Sequence, residues 1–242
     1  LEEFRACVSI EGFVYFMCAP TLVYEPVYPR LKFIRWAYVW QKVMELCVCV
    51  VVSFAIMSQF MLPVLQSGVH LPFWFAVLKL ALPSFLMWLV GFYALFHCYL
   101  NIASEVTRFA DRQFYKGWWN ATTLGSFWRT WNLPVHHFAH RHLFFDTQHY
   151  FGMSKTAASL VTFFVSAVLH EVLFSVAFKT VRVWFFVGML AQFPLIVISE
   201  QLRGTRRGNI FMWVSLFFGQ PLIEILYFRE WFETHDSFFC VA

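Results

Sequence analysis

The feature that most limits the fold of this chain is a series of long apolar stretches separated by shorter polar ones. They cover roughly residues 43–63, 80–101, 156–176, 183–199 and 210–228. A helix of about 20 residues, rising about 1.5 Å per residue, crosses a hydrocarbon layer of about 30 Å. Because a backbone in lipid must satisfy its own hydrogen bonds, each stretch is predicted to be a transmembrane helix. We therefore predict an all-α polytopic membrane protein with about five transmembrane helices.

The composition of the 242-residue chain agrees with a protein embedded in lipid. Apolar residues make up 60% of it and charged residues only 13%, against about 25% charged residues in soluble domains. The formal net charge is +4 and is spread along the chain, so no nucleic-acid partner is expected. Much of the surface is expected to contact membrane lipid.

Lysine and arginine residues alternate in number along the segments that flank the apolar stretches. In chain order the six segments hold 5, 1, 6, 2, 3 and 1 of them. Segments rich in positive charge tend to stay on the cytosolic side of a membrane. The N-terminal segment, the middle segment 102–155 and the arginine-rich loop near residue 205 are therefore expected in the cytosol. The tail after residue 228 is expected on the opposite side.

The middle segment 102–155 has an unusual composition for a loop. It contains FYKGWWN, WRTWN and HHFAHRHLFF, in which aromatic and basic residues are interleaved. Tryptophan, tyrosine and arginine are typical of the boundary between membrane and water. We predict amphipathic helices that lie on, or dip into, the cytosolic face of the bilayer.

Two ionisable residues, His170 and Glu171, lie inside the third apolar stretch, only a few residues past its midpoint near Ser166. A charge near the bilayer centre costs about 2.5–3.5 kcal/mol even on a mild scale. A histidine can avoid this cost by staying neutral, which leaves one ring nitrogen free to accept a proton. The pair is therefore either a catalytic site or a set of hydrogen bonds between helices. Gln192 and Gln220 could line one internal cavity with His170.

The histidine-rich sequence HHFAHRH offers a metal site as an alternative. It supplies His136, His137, His140 and His142, and the first and third share a helix face at i, i+4. Membrane di-iron enzymes need several such clusters, whereas this chain has one, with few carboxylates nearby. A patch that contacts phosphate groups is favoured over a metal site. No GxSxG, P-loop or HExxH sequence is present.

Several sequences, in order along the chain, resemble one enzyme family. They are APTLVYEPVYPR (19–30), RFADRQFYKGWWN (108–120), TWNLPVH (130–136), SAVLHE (166–171), GMLAQFP (188–194) and GNIFMWVSLFFGQP (208–221). Together they resemble the membrane-bound O-acyltransferases, in the branch of diacylglycerol and sterol acyltransferases. The resemblance extends from about residue 13 to 233. It implies a multi-pass protein of the endoplasmic reticulum membrane that can form a homo-oligomer and whose helices surround an internal tunnel.

The resemblance also implies an acyltransferase reaction. Acyl-CoA enters the tunnel from the cytosol as co-substrate, with no separate cofactor, and a lipid alcohol enters from the bilayer. His170 matches the family's buried histidine and would act as general base, with Asn120, from the FYxDWWN pattern, as the second catalytic residue. No metal is expected. The predicted substrate-binding residues are Gln220, Gln192, Glu171, Trp118, Trp119, Lys116, Arg129 and Arg141, of which the three basic ones would hold the CoA phosphates.

The sequence indicates the type of reaction more clearly than it indicates the lipid that accepts the acyl group. TLVYE, AQFP and GQP resemble the diacylglycerol enzymes more than the sterol enzymes. We therefore predict the formation of triacylglycerol from diacylglycerol, with sterol esterification as the alternative.

The chain also departs from the family pattern. Gly117 stands where FYxDWWN has an aspartate, and the family normally carries further membrane spans before residue 19. We expect residues 1–242 to be a single membrane-embedded acyltransferase domain that lacks N-terminal transmembrane helices. These departures leave a third hypothesis open, a non-catalytic lipid-binding protein.

Overall fold

The computed structural model describes residues 9–68 and 71–235, and nearly all regular structure in this part of the chain is helical. The pairing of Arg30 with Phe109 is an isolated β-bridge. The α-helices are α1 Ile10–Cys18, α2 Trp36–Ile56, α3 Leu62–Gly68, α4 Phe73–Phe92, α5 Leu100–Val106, α6 Leu124–Trp131, α7 Leu133–Ala139, α8 Asp146–Phe151, α9 Lys155–Phe178, α10 Trp184–Glu200 and α11 Arg206–His235.

All five predicted apolar stretches fall on helices. Four continuous helical segments are long and apolar enough to cross a membrane: Trp36–Ser67, Phe73–Val106, Lys155–Phe178 and Arg206–Trp231. The fifth stretch is α10, whose 17 residues lie at the lower end of the range that spans a bilayer. The first two segments are each joined from two α-helices by a π-helical turn, at Met57–Met61 and at Tyr93–Tyr99. The sequence-based prediction of a polytopic all-α protein is confirmed.

The tail differs from the prediction, because α11 continues to His235 instead of ending near residue 228. Residues 236–242 lie outside the described part of the chain, as do residues 1–8. The middle segment folds into the short helices α6, α7 and α8 and a π-helical turn at His140–Phe145. Their helical character matches the prediction, and their position on the cytosolic face remains a prediction.

Capping side chains fix the start of the helices that carry candidate site residues. Ser154 accepts a hydrogen bond from the Ala157 N–H at the start of α9, and Asn132 accepts one from the Val135 N–H at the start of α7. Such caps satisfy backbone donors that the first turn leaves free. Helix α9 ends at Phe178, and its C-cap residue Lys179 takes a left-handed conformation with φ 53°. This C-cap turns the chain back into α10.

The helices that follow the middle segment pack in sequence, α9 against α10 and α10 against α11, and α11 also packs on α4. The approach of α10 to α11 is close at Gly188, where a Cβ atom would lie 2.8 Å from Ile223 Cδ1. A larger residue at this position would require the Ile223 side chain to shift.

An aromatic cluster joins the membrane helices to the middle segment. Trp118 is 3% exposed and has ring contacts with Trp88, Phe92 and Trp131. Trp88 also stacks on Trp131, with ring centroids 4.4 Å apart. Large aromatic side chains dominate the energetics of such a core. The cluster fixes the segment that contains FYKGWWN against α4.

Candidate functional site

His170 lies on α9, and one of its ring nitrogens is held by the backbone. Nδ1 is 2.7 Å from the carbonyl oxygen of Ser166 and 3.5 Å from the Ser166 hydroxyl. Because a carbonyl oxygen only accepts, Nδ1 must carry the proton of a neutral ring. The lone pair is then on Nε2, which is the nitrogen that can accept a proton. The half-buried ring therefore has the tautomer that a general base requires.

Glu171, the neighbour of His170, is bonded to the start of α10. Its side-chain oxygens accept hydrogen bonds from the Phe186 N–H at 3.1 Å, the Arg182 N–H at 3.2 Å and the Ser175 hydroxyl at 3.3 Å. A carboxylate at a helix N-terminus satisfies free backbone donors and interacts favourably with the helix dipole. These contacts favour the helix-joining role of Glu171 over its predicted contact with substrate.

Gln220 lies on α11 beside a buried carboxyl that the sequence analysis did not single out. Gln220 Nε2 donates to Glu224 Oε1 at 3.2 Å, and the Ser84 hydroxyl of α4 donates to Glu224 Oε2 at 2.5 Å. These three polar groups lie between α4 and α11. An ionisable residue in a membrane segment is a functional candidate by default, and here it also orients the predicted substrate-binding amide of Gln220.

The contacts between helices place the predicted intramembrane residues at similar depths. Phe186 is bonded to Glu171, and Gly188, two residues further along α10, meets Ile223 of α11. At about 1.5 Å rise per residue, Gln192 and Gln220 lie within a few turns of the level of His170 along the packed helices. Gln192 is half-buried on α10. The prediction that these side chains line one cavity is not tested by these contacts.

The FYKGWWN segment presents its residues on different sides. Trp118 is buried in the aromatic cluster, whereas Trp119 is 45% exposed and Asn120 is exposed. The Asn209 side chain donates to the carbonyl oxygens of Trp119 and Ala121, each at 2.9 Å. Asn120 and Trp119 are thus accessible to a ligand, while Trp118 acts as a packing residue.

Gly117 replaces the family aspartate without a structural need for glycine. Its φ of −68° suits any residue. A Cβ atom there would meet only the Trp119 ring, at 3.9 Å or more. The segment keeps its fold with glycine, and the departure removes a carboxylate rather than distorting the backbone.

The predicted phosphate-binding residues separate into two groups. Lys116 and Arg129 are exposed and close enough to His136 to affect its charge. Arg141 instead forms an ion pair with Glu25. It lines a cavity of about 380 Å³ between residues 20–29, the segment near Asp111 and the end of α7. Arg141 therefore has a charged partner that differs from the neighbours of Lys116 and Arg129.

The His136 imidazole has a pKa below its usual value. Burial is the main cause, and the nearby charges of His137, His140, Arg129 and Lys116 add to it. A lowered pKa in the folded state means that the unfolded chain binds more protons as the pH falls through about 6.5. Stability should therefore decrease on acidification below that pH.

Replacing His136 by glutamine should make the free energy of unfolding less dependent on pH below about 6.5, because this source of proton uptake is removed. The measurement is detergent-solubilised unfolding at a series of pH values. The matched control is His149→Gln, at an exposed position, which should keep the pH dependence of the unmodified chain. An identical slope for all three proteins would contradict the account.

A polar network near the predicted cytosolic end of α2 was missed by the sequence analysis. Lys42 is 5% exposed, and its Nζ lies 2.7 Å from Glu45 Oε2 and 3.0 Å from His97 Nε2. His97 Nδ1 lies 2.9 Å from the Tyr115 hydroxyl, and the Tyr93 hydroxyl donates to Glu45 at 2.8 Å. Since an ammonium group only donates, His97 Nε2 accepts and Nδ1–H donates to Tyr115. The network fixes FYKGWWN against α2.

Replacing Lys42 by methionine should destabilise the protein by about 2 kcal/mol, because Glu45 and His97 each lose a buried partner. Lys42→Arg keeps a positive donor and should lose less. The measurement is the free energy of unfolding in detergent. An effect of Lys42→Met below about 0.5 kcal/mol, the range of ordinary surface substitutions, would show that the network does not stabilise the fold.

The metal alternative gains no support from the described residues. Within them, no group of three or more His, Cys, Asp or Glu side chains is arranged to hold a metal ion. His136 and His140 do lie near each other, with ring centroids 6.1 Å apart.

A second cavity, of about 420 Å³, lies in the membrane portion between α4 and α11. Its walls are almost entirely apolar, with Trp74 on α4 and Phe218 on α11 among them. His170 lines neither this second cavity nor the cavity beside Arg141. The internal tunnel around His170 therefore remains a prediction.

A comparison of this chain with known protein families agrees with its helical membrane architecture and with the order of its motifs. The model of MBOAT, the membrane-bound O-acyltransferase family, matches residues 7–229. The chain belongs to this family.

Individual relatives are named for one activity. The chain is 39% identical to "Diacylglycerol O-acyltransferase 1" of Dictyostelium discoideum, over 94% of this chain and 39% of that protein. It is 38% identical to "Diacylglycerol O-acyltransferase 1C" of Glycine max and to "Diacylglycerol O-acyltransferase 1" of Arabidopsis thaliana, in each case over 95% of this chain and 46% of the relative. The chain thus spans less than half the length of these curated relatives.

Proposed function

We propose that this chain transfers a fatty acyl group from acyl-CoA to the hydroxyl of diacylglycerol and so forms triacylglycerol. The observation that carries the proposal is the match of nearly the whole chain to proteins named diacylglycerol O-acyltransferase. A histidine in a membrane-spanning helix, with Nδ1 bonded to the Ser166 carbonyl oxygen and Nε2 left available, supports it. The acceptor lipid is dissolved in the bilayer, which explains why a base would be kept there.

In the proposed reaction, His170 Nε2 takes the proton from the diacylglycerol hydroxyl while its oxygen attacks the thioester carbonyl. The tetrahedral species collapses by breaking the carbon–sulfur bond. The CoA thiolate is a good leaving group because thiol pKa values are near 8.5, and it takes the proton from the His170 imidazolium. Atoms and charges balance without a covalent enzyme intermediate. The reaction therefore needs no cofactor besides acyl-CoA as co-substrate.

The developing oxyanion needs a hydrogen-bond donor in a dry site. Gln220 can supply one, since its amide nitrogen has a second hydrogen beyond the one that faces Glu224. Asn120 is proposed as the other donor, with water excluded from its exposed side chain once acyl-CoA is bound. Glu224 orients the Gln220 amide and so acts as a positioning residue rather than a catalytic one.

The CoA part of the donor is proposed to bind at the predicted cytosolic side of the FYKGWWN segment. Lys116 and Arg129 are exposed there and suit phosphate groups. The half-exposed ring of Trp119 offers a surface for stacking the adenine. Arg141 is not included in this site, because it lines the cavity formed with residues 20–29.

We place this activity in the endoplasmic reticulum membrane, where a multi-pass protein of this type would meet both substrates. Homo-oligomerisation is part of the same proposal through the family resemblance; apolar surface is exposed on α9, including Leu169, Leu173 and Val176. Such a surface needs either lipid or a protein partner.

The acceptor is tested by competition between two lipid alcohols. Membranes that contain the chain are given labelled oleoyl-CoA together with equal amounts of diacylglycerol and cholesterol. Label is expected in triacylglycerol. Label mainly in cholesteryl ester would replace the proposed acceptor by the sterol alternative. Label in neither lipid, with the chain folded and inserted, would support the non-catalytic lipid-binding hypothesis.

A further inference from the structure

The cavity beside Arg141 is formed by three segments of the chain, and the proposed reaction does not use it. Its volume is about 380 Å³, and its walls come from residues 20–29, the segment 109–114 and the region 134–141. Backbone hydrogen bonds from Leu31 to Arg108 and from Ala110 to Pro29 join the first two walls. An ion pair between Glu25 and Arg141 joins the first wall to the third.

The cavity lies near the ends of two membrane-spanning segments. Arg35, one residue before the first segment, forms a hydrogen-bonded ion pair with Glu105, one residue before the end of the second. Three residues further on, the carbonyl oxygen of Arg108 accepts a hydrogen bond from the Leu31 N–H, just after the wall formed by residues 20–29. Val27 lines the cavity and is 77% exposed. An exposed apolar residue at this level is expected to meet the acyl region of the bilayer.

The charges on the cavity walls have both signs. Glu25 and Asp111 supply two carboxyl groups, Arg141 supplies a guanidinium, and His137 and His140 supply imidazoles. A polyanion such as CoA would be repelled by the two carboxylates, and a simple cation by Arg141. A ligand that carries one anionic and one cationic group matches both. The Arg141 guanidinium keeps donors beyond the one that faces Glu25 and can therefore bind a phosphate group, and the carboxyls suit an ammonium.

Aromatic rings complete the surroundings of a cationic group. Tyr28 and Phe109 both line the cavity, with ring centroids 5.8 Å apart. Aromatic faces attract ammonium groups, including quaternary ones. The Tyr28 hydroxyl is fixed by bonds to the Glu25 N–H at 2.7 Å and the Val23 carbonyl at 2.9 Å. The ring is therefore held in place before any ligand arrives.

We propose that this cavity binds the headgroup of a zwitterionic phospholipid, with its phosphate at Arg141 and its ammonium between Glu25 and Asp111. The acyl chains would leave past Val27 into the bilayer. The site is separate from His170 and does not depend on the proposed acyltransferase activity. It would anchor the N-terminal segment and α7 to the membrane surface.

The test is the retention of phospholipid by the purified full chain. The protein is solubilised from membranes doped with equal amounts of phosphatidylcholine, phosphatidylethanolamine and phosphatidylglycerol, washed in detergent, and analysed by native mass spectrometry. The expected result is about one retained zwitterionic lipid per chain and several-fold less phosphatidylglycerol. The ratio of choline to ethanolamine lipid shows which ammonium is preferred.

Two variants locate the site. Arg141→Gln and Asp111→Asn should each reduce retention about fivefold or more. Arg203→Gln, which breaks an exposed ion pair with Glu200 outside the cavity, should leave retention unchanged. Asp111 is exposed, so the second variant serves if Arg141→Gln does not fold. Equal retention in all proteins, equal retention of phosphatidylglycerol, or displacement of the lipid by free CoA would overturn the proposal.

Discussion

Replacing Glu105 by alanine is expected to lower the free energy of unfolding by about 3 kcal/mol. Glu105 is fully buried near the end of the second membrane segment, and its carboxylate has three side-chain bonds to arginine. Arg35 Nε and Nη2 lie 3.1 and 2.9 Å from it, and Arg112 Nη2 lies 2.6 Å away. The Arg35 N–H donates at 2.7 Å as well. Breaking a buried ion pair by removing one partner typically costs about 3–5 kcal/mol.

The lower end of that range applies because Arg35 is half exposed and can be hydrated after the substitution. The measurement is chemical unfolding in detergent, followed by tryptophan fluorescence. The matched control is Glu200→Ala, which removes an exposed pair with Arg203 and should cost less than about 1 kcal/mol. A loss at Glu105 no larger than at Glu200 would show that the cluster does not join these segments.

Replacing His170 by alanine is expected to reduce acyl transfer by about 10²–10⁴-fold, which is the usual contribution of a general base. The reduction should appear in kcat, because His170 is proposed to act on the reacting hydroxyl and not to bind the donor. The KM for oleoyl-CoA should change little. The structure should survive, since the ring is only half-buried and its bond to Ser166 lies within α9.

The control for this variant is His149→Ala, which removes an exposed imidazole outside the membrane-spanning segments. It should keep the rate of the unmodified chain. A rise in KM with unchanged kcat for His170→Ala would indicate a binding role instead. A loss of fold in both detergent and membranes would point to the helix-joining alternative for His170.

The membrane helices could be predicted from the sequence because their signal is local. An apolar run of about 20 residues specifies a spanning helix without reference to the rest of the chain. The fold class and the helical character of all five stretches were therefore predicted correctly, and four of the five are long and apolar enough to span a membrane. The end of α11 was not, because charged residues such as Arg229 and Glu230 continue the helix beyond the apolar run.

The contacts that hold the candidate site residues could not be predicted, because their partners are far away in the sequence. Glu224 meets Ser84, 140 positions earlier, and Arg141 meets Glu25, 116 positions earlier. Neither separation follows a helical or strand period, so no pattern indicates the pair. From the sequence, Lys42 is only one of the basic residues that predict the orientation in the membrane, whereas in the fold it is buried against His97.

Two predicted substrate-contacting residues acquire structural roles for a similar reason. Glu171 and Trp118 were chosen by type and by family resemblance. The fold bonds Glu171 to the backbone of α10 and surrounds Trp118 with aromatic rings. A residue type indicates which interactions are possible, while tertiary packing decides which of them are made.

The most direct test of the account is lipid product analysis of the purified chain in liposomes. Labelled oleoyl-CoA and diacylglycerol are supplied to the unmodified chain and to His170→Ala, with both shown to be folded and inserted. The account predicts labelled triacylglycerol from the unmodified chain and at least a hundredfold less from the variant. Equal amounts of labelled triacylglycerol from the two proteins would contradict the role of His170 as the base.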